Sequence, residues 1–255
     1  MALESSSTLS STYSVPHDLL FGSWNLVALY RGNVTGPSHE PNWASQRAQD
    51  KTIVDVFHGK EGGFFVDLAA NDANELSNTR ALERAYGWDG LCIEPNPRYK
   101  EGYHDRKCPL VQAVVGPVEG EAVSFKFDNG VFGGVVGEGF DNKDEAGNAP
   151  MYTVSVEKIL HDFHAPTVID YLSLDIEGAE AWAFKTFPWS KCTFLTLTVE
   201  RPKPDLVEML TENGYIYMCD HGEFGDQFWV HSTLSNLEEV VAKYQGKEEC
   251  RAGLE

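Results

Sequence analysis

The chain is poor in basic residues. It has 20 Lys and Arg against 39 Asp and Glu, a formal charge of −19. A field of that sign repels phosphate backbones and anionic lipid, so nucleic acid is excluded as the expected partner. Long apolar runs are also missing, and no stretch approaches the ~20 residues of a membrane span. The opening MALESSSTLSSTYS has no apolar signal core. The expectation is a chain without a membrane span, cytoplasmic by default.

Cysteines are few and scattered. Cys92, Cys108, Cys192, Cys219 and Cys250 form no Cys-x-x-Cys pair and adjoin no His cluster. That spacing argues against structural zinc and against a disulfide framework. Cys92, Cys192 and Cys219 lie in apolar runs and read as buried free thiols. A Cys92–Cys108 bridge stays open as the alternative in an oxidising compartment. The sequon Asn33-Val-Thr35 matters only in a secretory setting.

The 255 residues are 42% hydrophobic, enough for one large core. Residues 1–44 read as an N-terminal arm, Ser/Thr-rich and disordered over 1–15, then broken by Pro16, Gly32, Gly36, Pro37 and Pro41. Residues 45–255 read as the folded domain. Apolar runs predict strands at 64–68, 90–94, 110–115, 168–174 and 194–199. Val123, Phe125 and Phe127 alternate, as in a half-exposed strand. Helical spacing predicts helices over 76–86, 156–163, 205–213 and 236–244, with a short one after Gly178. Residues 128–149 are rich in Gly and acid and read as a long loop or lid. Runs 215–219 and 227–231 read as two closing antiparallel strands. Strands alternating with helices give the α/β class: a Rossmann-like, mostly parallel sheet with an antiparallel edge and helices on both faces.

Ligands in such sheets bind beyond the carboxyl ends of the strands. The first such loop, Asp67-Leu68-Ala69-Ala70-Asn71-Asp72-Ala73, has small residues but no glycine, so the GxGxxG fingerprint of a dinucleotide site is absent. Glu94 ends the next strand, 21 residues after Ala73. An acid at that place suits the hydroxyls of a ribose, and the alternative is a cap on the turn before Pro95. S-adenosylmethionine carries no phosphate and fits a loop of this kind better than NAD does.

The stretches Ser45-Gln46 with Gln49-Asp50, FFVDLAANDANELSNTRALE (64–83), GWDGLCIEPNP (87–97) and DYLSLDIEGAE (170–180) together resemble the FkbM family of methyltransferases. The resemblance covers roughly residues 45–232. It implies a class I methyltransferase fold and S-adenosylmethionine as cofactor. It implies cofactor contacts from Asp67, Ala69, Asn71 and Glu94, with Ser77, Asn78 and Thr79 facing the same pocket and Asp175 at its edge. The two glycines of the family's VD-x-GAN-x-G loop are Ala69 and Ala73 here. Alanine disfavours φ > 0, so a left-handed requirement at either position would weaken the cofactor site.

Methyl transfer to a hydroxyl needs in-line placement and removal of a proton. Asp175 is the first candidate for that role, Glu177 the second and Glu200 the third. The competing reading makes Asp175 a helix N-cap, with Glu177 and Glu180 favouring a helix N-terminus. Mg²⁺ or Ca²⁺ on Asp175 and Glu200 stands as a secondary reading behind a metal-free site. His221 and His231 read as structural, and Phe132, Trp182, Trp189 and Trp229 as core. The sequence thus points to an O-methyltransferase acting on a sugar or small-molecule hydroxyl. The alternative is a non-catalytic protein of this fold that serves in binding or trafficking.

Overall fold

The computed structural model describes residues 29–30, 41–127, 130–143 and 148–254. The main sheet takes strands β1 (Leu29–Tyr30), β2 (Phe64–Leu68), β3 (Asp89–Ile93), β4 (Leu110–Val111), β9 (Val168–Leu174), β10 (Thr193–Val199), β11 (Tyr215–Asp220) and β12 (Gln227–His231). A smaller sheet takes β5 (Val114–Val115), β6 (Ala122–Lys126), β7 (Gly134–Val135) and β8 (Asn148–Val154). The helices are α1 (Gln49–Val56), α2 (Arg80–Tyr86), α3 (Val156–Asp162), α4 (Glu180–Ala183), α5 (Pro204–Glu212) and α6 (Leu237–Tyr244).

The main sheet runs β1-β4-β3-β2-β9-β10-β12-β11. Its centre, β4 through β10, is parallel, while β12 is antiparallel to both β10 and β11, and β1 to β4. This is the Rossmann-like arrangement of a methyltransferase fold, with the order reversing between β2 and β9. The period of two along each strand divides the core. Val66, Leu68, Leu91, Ile93, Leu172 and Leu174 face α3, α4 and α5 on one side. Phe65, Cys92 and Tyr171 face α1, α2 and α6 on the other. Burying one such side chain contributes about 1.5–3 kcal/mol.

Several expectations need correction. The helix expected over 76–86 begins only at Arg80. The Asp72 carboxylate accepts from the backbone N–H groups of Asn74 and Glu75, and Leu76 lies at φ 58°, so this stretch is a turn. Gly87 stops the helix as expected, at φ 66°. The single strand expected over 110–115 is two, because the Ala113 N–H turns back to the Val111 carbonyl. The expected long loop at 128–149 is in part ordered sheet, with β7 and the start of β8 packing a small core of Val114, Phe125 and Val135. β1, in the arm read as partly ordered over 1–44, pairs at the sheet edge, which needs no correction. Residues 1–15 and the Asn33 sequon lie outside the described residues.

The cysteines also differ from expectation. Cys92 and Cys219 are not free: Cys92–Cys108 and Cys219–Cys250 are disulfides, leaving Cys192 as the free thiol. The pairing is tertiary. Cys108 runs into β4 beside β3, and Cys250 returns to β11 after α6. Cys92–Cys108 is the alternative that the sequence left open, whereas nothing in the sequence points to Cys219–Cys250.

Candidate active site

Strand register builds the site. Leu68 pairs with both Ile93 and Leu174, and Leu174 pairs with Val199, so the central strands end level. The next residue of each strand is therefore brought to one edge: Ala69, Glu94, Asp175 and Glu200. Each continues the ladder by one N–H, from Ala69 to Ile93, Glu94 to Val111, Asp175 to Leu68 and Glu200 to Leu174. Because β12 is antiparallel, its start joins the same edge. Gln227 pairs with Val199, which sets Asp226 beside Glu200.

Two clefts open along this edge. One has apolar walls that include Leu68, Ile93, Val114 and Val135, and Glu94 at its polar end. The other is polar and holds Asp67, Asp175, Glu177, Glu200 and Asp226, with Ser77 and Asn78 in its wall. They share Ala69, Asn71 and Tyr99.

Glu94 is 4% exposed. Its carboxylate accepts from the backbone N–H of Asn71 at 3.1 Å and of Asn96 at 2.7 Å. It thus ties the loop after β2 to the turn after β3, so the turn-capping role and a place in the cleft coexist. Burial pushes its pKa up to about 7 against the lowering effect of those two donors. The loop after β2 is bent: Ala69 lies at φ 64° and Asn71 at φ 47°, while Ala73 is not left-handed. Asn tolerates that region through its side chain, here donating to the Ala69 carbonyl at 3.3 Å. Ala69 has no such compensation.

Thr79 lines neither cleft. It is fully buried and donates to Asp67 at 2.6 Å. Arg106, also fully buried, holds this group from behind. It pairs with Glu83 at 3.1 Å and donates to the Ala73 carbonyl, Ser77 Oγ and Thr79 Oγ1. Burial raises the Asp67 carboxyl despite the bond from Thr79 and the Arg106 charge. Ser77 also accepts from the N–H groups of Thr79 and Arg80. These residues shape the loop more than they face a ligand.

At the acidic end, the carboxylate oxygens of Asp175, Glu177 and Glu200 lie within 4.8 Å of one another. Burial first, and then the Glu200 and Glu177 charges, hold the Asp175 carboxyl well above the usual carboxylate range. Burial and Glu200 push Glu177 to about 7 although Arg201 opposes them. Arg201 reaches Glu200 at 2.8 Å, and Glu177 and Asp141 at 3.3 Å each. Asp175 does not cap α4, whose first turn is preceded by Ala179 with no side-chain cap. Glu180 instead reaches back to accept from the N–H groups of Ile176 and Gly178. Glu177 and Gly178 are consecutive left-handed residues, and a Cβ on Gly178 would stand 2.0 Å from Lys203 Nζ.

The methyltransferase FkbM domain matches residues 67–217. The chain belongs to the FkbM methyltransferase family. No curated protein sequence matches it. Among solved structures it is similar to precorrin-6y C5,15-methyltransferase from Geobacter metallireducens GS-15, with a TM-score of 0.39 and 12% identity over 76% of this chain and 91% of that one.

In this FkbM-family chain the edge also gathers residues that sequence reasoning missed. Asp226 accepts from Gln49 at 3.0 Å, and Arg201 and Arg106 organise the two ends. Asp50, within the Ser45–Asp50 match, accepts from the Ala44 N–H and from the N–H and hydroxyl of Ser45, fixing the chain before α1. His221 is fully buried against the Arg47 carbonyl, and burial pushes its pKa down to about 4. His231 binds Thr233 and the Asn213 carbonyl. Both histidines have structural contacts. Five of the eight left-handed non-glycine residues described, namely Ala69, Asn71, Leu76, Glu177 and Arg201, line the polar cleft. No propensity pattern in the sequence announces this clustering.

Proposed function

We propose that this FkbM-family protein is an S-adenosylmethionine-dependent O-methyltransferase acting on a hydroxyl of a sugar or another small neutral acceptor. One observation carries the reading: an apolar cleft closed by the buried Glu94 opens, past Ala69, Asn71 and Tyr99, into a cleft lined by carboxylates. The apolar walls suit a nucleobase. Glu94 suits two ribose hydroxyls and would repel a pyrophosphate, so the residues fit S-adenosylmethionine better than a dinucleotide.

The cofactor supplies an electrophilic methyl group. The chain's part is to hold the acceptor hydroxyl at the carboxylate end and to take its proton. Asp175 is best placed, because Oδ1 is shielded and has no hydrogen-bond partner among the described residues. Glu177 and Glu200 orient the acceptor, with Arg201 holding both. The acidic lining favours a neutral acceptor over a phosphorylated one.

The test is transfer of labelled methyl to a panel of monosaccharides and polyols. Asp175→Asn should lower turnover by about 10²–10⁴-fold, with the Kd for S-adenosylhomocysteine within about threefold of the parent. Full turnover in that variant would remove Asp175 from the chemistry. A second reading, binding without turnover, rests on the strained Ala69 and predicts no cofactor affinity. The two disulfides favour an oxidising compartment over the cytoplasm.

A further inference from the structure

We propose that the acidic end of the polar cleft binds one hard divalent cation of Ca²⁺ size, held by Asp175, Glu177, Glu200 and Asp226. The inference rests on geometry, and it shares Asp175, Glu177 and Glu200 with the proposed acceptor site. Two oxygens on opposite sides of Ca²⁺ stand about 4.6–5.2 Å apart, against about 4.0–4.2 Å for Mg²⁺. One oxygen each from Asp175, Glu177 and Glu200 lies within 4.8 Å of the others, a spread that an ion of Ca²⁺ size can bridge.

A second observation comes from outside that triad. Asp226 is only 8% exposed, and its Oδ1 has no hydrogen-bond partner among the described residues. Gln49 fixes the carboxylate through Oδ2 at 3.0 Å. Asp226 lines one small cavity together with Asp175, Glu200 and Asn78. Asp175 Oδ1 and Asn78 Oδ1 are likewise buried and unpartnered. Asn78 is oriented by its bond to Ser173 at 3.1 Å. Three buried acceptors thus border one cavity. A water molecule offers them two protons, whereas a cation satisfies all three.

The charge balance agrees. Arg201 is shared among Glu177, Glu200 and Asp141. Neither Asp175 nor Asp226 has an ion-pair partner among the described residues. A bound cation would supply the positive partner that these two carboxyl groups lack.

Calorimetric titration of the chelator-treated protein with Ca²⁺, and separately with Mg²⁺, tests this. About one equivalent of Ca²⁺ should bind with a Kd of about 10⁻⁴–10⁻³ M or tighter, and Mg²⁺ more weakly. Asp175→Asn and Asp226→Asn should each weaken Ca²⁺ binding by at least about tenfold. No saturable binding by ~10 mM Ca²⁺, in a protein that unfolds cooperatively, would overturn the site. So would unchanged affinity in both variants, and tighter Mg²⁺ binding would overturn the size assignment. Titrating S-adenosylhomocysteine in parallel separates the two ideas. Ca²⁺ binding alone would retain the cation and refute the cofactor reading, and the reverse result would do the opposite.

Discussion

Replacing Ala69 by glycine should stabilise this protein. Ala69 is held at φ 64° by the level strand ends, with the N–H groups of Ala69 and Ala70 both donating to the Ile93 carbonyl. A left-handed conformation costs a residue with a Cβ about 1–2 kcal/mol. Glycine removes that cost and returns about 0.5–1 kcal/mol through its freer unfolded chain. The net gain is about 0.5–1 kcal/mol, or a rise in Tm of about 1–4 °C for a chain of this size. Ala73 is the internal control. It is fully buried, is not left-handed, and packs its methyl against Gly102. Ala73→Gly loses about one methyl of burial and adds backbone freedom, so it should cost about 1–2 kcal/mol. Thermal unfolding of both variants under non-reducing conditions reads the contrast. Since Ala69 lines both clefts, Ala69→Gly should bind S-adenosylhomocysteine at least as tightly as the parent. A lower Tm for Ala69→Gly, or two shifts of the same sign, would refute the strain argument.

On the proposed function, Glu94 should make cofactor affinity depend on pH. Its pKa of about 7 means that the carboxylate is protonated in mild acid, so affinity should rise as pH passes upward through about 7. Its effect on stability has the opposite sign: the contribution is present below about 4.5 and lost as pH rises through about 7. Binding isotherms from pH 5.5 to 8.5 on the parent and on Glu94→Gln separate the two, since the variant should be weak and flat. Arg106→Met leaves Glu83 buried with only the Lys107 and Cys108 N–H donors, and should cost about 3–5 kcal/mol by denaturant unfolding. Adding Glu83→Gln should recover part of that loss, and full additivity of the two changes would argue against the pair. Thiol titration of the unreduced, denatured protein should find Cys192 alone, and reduction should cost about 3 kcal/mol per bridge. More than one reactive thiol before reduction would contradict the pairing.

The central strands were legible because each is an apolar run with turn residues at its ends. Register then follows from burial on both faces, and it sets Ala69, Glu94, Asp175 and Glu200 level without further information. β8 was not legible. Asn148-Ala-Pro-Met-Tyr-Thr-Val is half-exposed and follows a Gly- and acid-rich stretch, so no period of two stands out. Arg106 carries no local signal, and its place emerges only where Glu83, Ser77 and Thr79 surround it. Asp226, Gln49 and the disulfides depend on contacts between distant segments, which local pattern does not carry. The family motifs include the loop after β2, but the left-handed state of Ala69 belongs to this chain's own backbone.

Calorimetric titration with S-adenosylmethionine, and separately with S-adenosylhomocysteine, tests the central claim most directly. The account predicts micromolar binding of both, about −8 kcal/mol, abolished or weakened about 10–100-fold by Glu94→Ala. Absence of binding by either ligand, in protein that unfolds cooperatively, would contradict it and leave a methyltransferase fold whose strained loop no longer admits the cofactor.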